Sequence, residues 1–189
     1  MYKACRNGET KVVQLLLERC NSEDNGLNDK DKDGGTPFMW ACSNGHKDVV
    51  QLLLNHSERI ELNARTNDGW TALMMACSWG NKAVVKLLLD HSERIRLNAR
   101  NIIGMTSFME ACRYGHKDIV KLLLDHSYTS IDLNARDRNG RTGFMFACEY
   151  RRTAVVKLLL DYSNRIDTTN LDSTVWAKEI VDIIEENTI

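Results

Sequence analysis

The chain has 189 residues, 43% of them hydrophobic and 27% charged, enough for one domain of ordinary size or a short array of small units, and too apolar for a disordered tail. Its 25 Lys+Arg against 26 Asp+Glu leave a formal net charge of -1, which argues against non-specific binding to nucleic acid or to an anionic membrane surface. The opening Met1 to Asn7 is polar with no apolar signal core, and no window approaches the roughly 18 uninterrupted apolar residues of a membrane span, so a soluble, unsecreted chain is expected.

In chain order, residues 1–31 contain Ala4-Cys5 and the triplet Leu15 to Leu17, and match the later units only from the middle of a first helix onward. They read as a degenerate capping unit or as a start inside a repeat. Asn21 to Lys32 is a polar, charged connection and the segment expected to be most mobile. In residues 32–66, Thr36-Pro37 is a helix start, since the hydroxyl can accept from an orphan amide and proline tolerates the first helical position. That helix runs to about Asn44, where Gly45 supplies a left-handed end. A second helix carries Val49, Val50, Leu52, Leu53 and Leu54, apolar along one face. An extended stretch then leads through His56 to Leu62 into the turn signal Asn67-Asp68-Gly69. Residues 67–101, 102–137 and 138–171 repeat the plan. In the last of these Arg151 stands where Gly45, Gly80 and Gly115 stand before it; in a left-handed backbone that costs on the order of 1 kcal/mol, so fraying is expected to begin there. Residues 172–189 place Val175, Trp176, Ile180, Ile183 and Ile184 on a helical pattern that reads as a terminal cap.

Four markers keep one register. Ala-Cys recurs at 4-5, 41-42, 76-77, 111-112 and 147-148, in steps of 37, 35, 35 and 36 residues, and the leucine triplets beginning at Leu15, Leu52, Leu87, Leu122 and Leu158 take the same steps. Gly-x-Thr precedes the pair at Gly34/Thr36, Gly69/Thr71, Gly104/Thr106 and Gly140/Thr142, and Leu-Asn-Ala-Arg ends at Arg65, Arg100 and Arg136. Helices this short are marginal alone in water, so neighbouring units must stabilise one another.

Gly34-Gly35-Thr36-Pro37-Phe38-Met39-Trp40-Ala41, Gly45-His46 and Val49-Val50-Gln51-Leu52-Leu53 resemble the ankyrin repeat, and the resemblance covers nearly the whole chain. It implies a mainly α fold, an α-solenoid of stacked helix-turn-helix repeats joined by β-turn or hairpin loops and capped at both ends. The family's first-helix histidine is replaced by Met39, Met74, Met109 and Met145, and Pro37 gives way to Ala72, Ser107 and Gly143 in the later units. The surplus over the family's usual period falls in stretches such as His56 to Leu62, which are expected to protrude.

Catalytic apparatus is not visible. Five of the six cysteines sit on the Ala-Cys ladder, and equivalent helices of stacked units lie roughly 8–10 Å apart, beyond the roughly 7 Å that a disulfide allows between Cα atoms and too far for a shared zinc. They read as small buried core residues in a reducing compartment; Cys20 lies off the ladder. His56, His91 and His126 share one repeat position and His46 and His116 another, as serial copies with structural hydrogen bonds rather than as ligands or bases. No phosphate loop, Gly-x-Ser-x-Gly or His-Glu-x-x-His occurs. The expectation is a non-enzyme with no catalytic residue, no metal and no cofactor.

In a stack of near-copies, positions that differ between units are the ones that face something outside the stack. The resemblance implies that turn tips and the exposed side of the first helices line a concave groove. Carried onto this chain, the variable positions place Trp70, Trp79, Ile102, Ile103, Met105 and Tyr114 at its centre, flanked by Arg113, Arg138 and Arg141, with Tyr150 beyond. An apolar patch of this kind marks a binding surface, and Trp, Tyr and Arg are the types enriched among interface hot spots. The competing reading has Ile102, Ile103 and Met105 packing between turns and Trp79 covering a junction. Trp40, Met75, Glu110 and Phe146 share one variable position; three of them are large and apolar, and those are expected to be partly buried. The function expected is a protein-protein interaction module (adaptor, scaffold or inhibitor), monomeric, intracellular and cytoplasmic, whose partner is another protein and neither nucleic acid nor membrane. One alternative is an anion- or small-molecule-binding protein using Arg113, Arg138, Arg141, Arg151 and Arg152. Another is a host-directed factor, since ankyrin-rich proteins are typical of large viruses and intracellular bacteria.

Overall fold

Four threonines set the start of successive helices. Thr36, Thr71, Thr106 and Thr142 adopt extended backbone, and each hydroxyl accepts from the amide three residues on, that of Met39, Met74, Met109 or Met145, at 3.3 to 3.4 Å. A side-chain acceptor at this place satisfies one of the amides that the first helical turn leaves orphaned. The computed structural model describes residues 1–19, 26–126 and 131–167. Among them the helices are α1 (Tyr2–Asn7), α2 (Thr10–Arg19), α3 (Pro37–Ser43), α4 (Lys47–Asn55), α5 (Ala72–Ser78), α6 (Lys82–Asp90), α7 (Ser107–Tyr114), α8 (Lys117–His126), α9 (Gly143–Glu149) and α10 (Thr153–Asp161).

The odd-numbered helices pack in sequence, α1 on α3, α3 on α5, α5 on α7 and α7 on α9; the even-numbered ones do the same from α2 to α10. Two helical layers result, and the repeated apolar residues meet between them. The pairs Val49-Val50, Val84-Val85, Ile119-Val120 and Val155-Val156 are buried, as are Phe38, Leu73, Phe108 and Phe144 on the first helices. The ladder cysteines Cys5, Cys42, Cys77, Cys112 and Cys148 are buried with them, and burial pushes the Cys5 thiol up to about 12. No strand occurs among the described residues. The turn tips are instead joined by single backbone hydrogen bonds, from the amide of Asn67 to the carbonyl of Asp33, of Ile102 to Asp68 and of Arg138 to Ile103.

Neighbouring units are also fastened by side chains. Gly8, Gly45, Gly80 and Gly115 close their helices at φ of 73 to 79°, and a Cβ on any of them would lie 2.5 to 2.7 Å from a side chain of the next unit. Those side chains are His46, Asn81, His116 and Arg152, which reach back to carbonyls of the preceding unit: His46 Nε2 to Arg6 O at 2.8 Å, Asn81 Nδ2 to Ser43 O at 2.7 Å, His116 Nε2 to Ser78 O and Arg152 Nε to Arg113 O, both at 2.9 Å. His46 and His116 therefore have the structural role expected of them. Arg151 occupies the equivalent glycine position at φ 51°, the sole non-glycine with positive φ among the described residues. Replacing it with glycine relieves the left-handed strain, and Arg151→Gly should raise stability by about 1 kcal/mol, read as a higher urea midpoint; an unchanged or lower midpoint would refute strain there.

The long connections do not stand away from the body. Ile60, Leu62 and Ala64 are buried, as are Ile95 and Leu97 and then Ile131, Leu133 and Ala135, so these segments fold onto the stack. The Asn of each Leu-Asn-Ala-Arg grips its neighbour: Asn63 Nδ2 donates to Arg94 O at 2.7 Å while its Oδ1 accepts from Arg96 N at 2.7 Å, and Asn134 does the same with Arg165 O and Asp167 N. Asn28 makes the same pair with Arg59 O and Glu61 N one unit earlier. The core of the segment expected to be mobile, Cys20, and the expected cap at 172–189 lie outside the described residues.

Candidate functional site

One recess lies where turn tips meet first helices. Its volume is about 520 Å³, and Asp33, Asn67, Asp68 and Trp70 line it from the tips while Trp40, Ser43, Met75, Ser78, Trp79 and Tyr114 line it from α3, α5 and α7. Trp79 is 70% exposed and Tyr114 43%, large values for aromatic side chains. Trp70 is half-buried, so it forms a wall of the recess rather than a free ring.

The walls follow from one pair of positions that changes from unit to unit. The residue before each capping threonine is Gly35, Trp70, Met105 or Arg141, and the fourth residue after each threonine is Trp40, Met75, Glu110 or Phe146. Gly35 makes room for Trp40, since a Cβ there would lie 2.6 Å from the indole Nε1. That nitrogen donates to Asp31 Oδ2 at 2.9 Å, and the Tyr2 hydroxyl donates to the same oxygen at 2.9 Å. Burial of Asp31 works against its charge, but hydrogen bonds from Gly35, Tyr2, Trp40 and Asp33 together hold its carboxyl below the usual carboxylate range.

The remaining expected residues separate into three groups. Ile102 and Ile103 are exposed on the next tip, at 48% and 46%, which goes against packing between turns. Met105 does not belong to the surface: it is fully buried, packed with Met109, Ala135 and Phe146, because its side chain turns inward above α7. The arginines are largely committed to the protein itself. Arg113 lies 5.5 Å from the Tyr114 ring and 5.2 Å from that of Tyr150; Arg141 lies 4.4 Å over Phe146 and pairs with Asp137 at 2.9 Å and with Glu149 at 3.3 Å. Arg138 is exposed on its tip. Of the alternative arginine cluster, Arg152 is engaged with a backbone carbonyl and Arg141 is already neutralised.

The shared column at Trp40, Met75, Glu110 and Phe146 meets expectation at Trp40 and Met75 and departs from it at Phe146. Trp40 and Met75 are half-buried, but Phe146 and Glu110 are wholly enclosed, and neither carboxyl oxygen of Glu110 has a hydrogen-bond partner. Desolvation raises its carboxyl to about 7 against the pull of Arg113. Asp33, Ser43, Asp68 and Ser78 also line the recess; their signal in the sequence was only that they differ between units, and polar residues carry no hot-spot flag of their own. Among the described residues no three His, Cys, Asp or Glu side chains converge as a metal would require, and no helix is long and apolar enough to cross a membrane.

The comparisons with known proteins agree with this architecture. A family model described as ankyrin repeats (3 copies) matches residues 1–101 and 94–172. Osteoclast-stimulating factor 1 of Monopterus albus is 44% identical over 55 residues, 29% of this chain and 24% of that protein. Scaffold protein ILK of Homo sapiens is 37% identical over 62 residues, 33% of this chain and 13% of that protein. The Drosophila melanogaster protein named ankyrin repeat and KH domain-containing protein mask is 41% identical over 54 residues, 29% of this chain and 1% of that protein. The matched stretch thus spans about a quarter or less of each of these relatives. Repeats in register, paired helices in two layers and a family model that covers most of the sequence lead to one assignment: the chain belongs to the ankyrin-repeat family.

Proposed function

We propose that this chain is a non-enzymatic interaction module that docks a protein partner in the recess between its second, third and fourth units. The observation that carries this reading is the recess itself, about 520 Å³ with Trp79 and Tyr114 exposed at its mouth. Exposed rings cost a soluble protein hydration free energy unless something covers them, and aromatic anchors that fill pockets dominate interface energetics. The scaffold is preorganised, since each unit is bonded to the next by His46, Asn81, His116 and Arg152, so little ordering entropy is lost when a partner docks. A relative named as a scaffold protein supports the same class of role. The repeat boundaries at 32, 67, 102 and 138 and an intracellular, cytoplasmic setting belong to this reading, which buried ladder thiols suit.

Affinity capture from cell lysate tests it, using the native sequence beside Trp79→Ala/Tyr114→Ala with folding checked by circular dichroism. Specific partners should be depleted about tenfold on the variant, as expected for loss of hot-spot aromatics. Equal recovery of every partner on a folded variant would remove docking from this recess.

A further inference from the structure

The aromatic rings in and beside the recess fall into two sets. Four carry a guanidinium of the protein's own: Arg6 lies 5.3 Å from the Trp40 ring, Arg113 5.5 Å from Tyr114 and 5.2 Å from Tyr150, and Arg141 4.4 Å from Phe146. Among the described residues no cation lies over Trp70 or Trp79. The reason is one repeat position, the residue after the ladder cysteine, which is Arg6, Ser43, Ser78, Arg113 and Glu149 in successive units. Where the first and fourth units carry an arginine that reaches over aromatic rings, the second and third carry serine, and both serines line the recess. The cavity therefore occupies the place that a guanidinium takes one unit away.

The electrostatics point the same way. Asp33 and Asp68 project from adjacent tips into the lining, both exposed, and among the described residues neither carboxylate takes part in an ion pair or a side-chain hydrogen bond. Asp31 beside them is already saturated by Tyr2, Trp40 and the turn amides. A ring face attracts a cation, a tryptophan face most strongly, and two unpaired carboxylates at the rim favour one further. A neutral apolar side chain would gain from the rings alone and leave both acids uncompensated.

Building on the docking reading, we propose that the recess receives an arginine side chain of the partner, its guanidinium held against Trp70 and Trp79 and paired with Asp33 and Asp68. The partner contact is thus a basic segment, and the middle units are left without their own arginine so that a foreign one fits.

Short capped peptides test this apart from any lysate. Ac-Gly-Arg-Gly-NH2 is titrated into 15N-labelled protein at low salt, beside the same peptide with citrulline, which keeps the shape and removes the charge, and with leucine. Saturable shifts of the Trp70 and Trp79 indole N–H signals are expected with the arginine peptide, about tenfold tighter than with citrulline. Asp33→Asn/Asp68→Asn should erase most of that difference. Ser78→Arg, which copies the residue of the fourth unit and fills the recess from within, should abolish the shifts while the fold persists. Equal binding of the citrulline or leucine peptide, or undiminished binding by Ser78→Arg, would overturn the proposal. Docking itself would still stand if the capture experiment with Trp79→Ala/Tyr114→Ala shows its loss, so the two readings can fail separately.

Discussion

At pH 8, Glu110→Met is expected to raise the unfolding free energy by on the order of 3 kcal/mol, and the gain should fade as the solution is acidified. Glu110 is fully enclosed and its oxygens have no hydrogen-bond partner, so its charged form is poorly tolerated and its carboxyl is raised from 4.5 to about 7 by desolvation. The sign comes from proton counting. Between 4.5 and 7 the folded state holds a proton on Glu110 that the unfolded state has released, so stability falls as pH rises through this window. The penalty is complete above about 7 and absent below 4.5. Methionine is the residue at the same position one unit earlier, Met75, which makes the substitution apolar and close in volume. Urea unfolding of both proteins from pH 4.5 to pH 8 gives the comparison, because every other titrating group cancels in the difference. A gain that does not depend on pH would show that Glu110 finds a partner in solution and is not held neutral.

This carboxylate also shows where reading the sequence stops. The period, the paired helices, the threonine caps, the left-handed Arg151 and the buried cysteine ladder all follow from residues repeated in register, because each repeated choice serves a local need that recurs. The recess was legible in part: Trp70, Trp79 and Tyr114 line it, while Ile102 and Ile103 are exposed on the next tip without lining it. Met105 and Phe146 misled for a common reason. Variability between units says that a position is not fixed by the scaffold, but it does not separate facing a partner from packing against a variable neighbour. The residue before each threonine and the fourth residue after it vary together, from Gly35 with Trp40 to Arg141 with Phe146, so the enclosure of either depends on the size of the other. The long connections failed for a different reason: Ile60, Leu62 and Ala64 alternate with polar residues over too short a span for periodicity to announce a buried face.

Packing that depends on a neighbouring unit gives the second large effect, at Gly143. It opens α9 in the place held by Pro37, Ala72 and Ser107 elsewhere, and alanine at an exposed helix start would ordinarily stabilise. Here a Cβ would lie 2.8 Å from Phe108 Cε1, 2.9 Å from its Cδ1 and 3.2 Å from Cys112 Sγ. Phe108 is among the largest fully buried side chains, held in α7 against the core, and its ring has nowhere to retreat. Gly143→Ala is therefore expected to destabilise by about 2 kcal/mol, the usual scale of overpacking. The preceding junction suggests the remedy, since Leu73 stands where Phe108 stands and the residue equivalent to Gly143 is there Ser107, which carries a Cβ. Phe108→Leu alone should lose about 1 kcal/mol through its cavity, and in that background Gly143→Ala should be neutral or stabilising. Urea unfolding of the four proteins measures the coupling, expected to exceed about 1 kcal/mol; strictly additive losses would mean that the ring yields freely. The same junction positions Arg113 over Tyr150, so the overpacked variant should also loosen the α7 edge of the recess, visible as altered Tyr114 ring signals that Phe108→Leu restores.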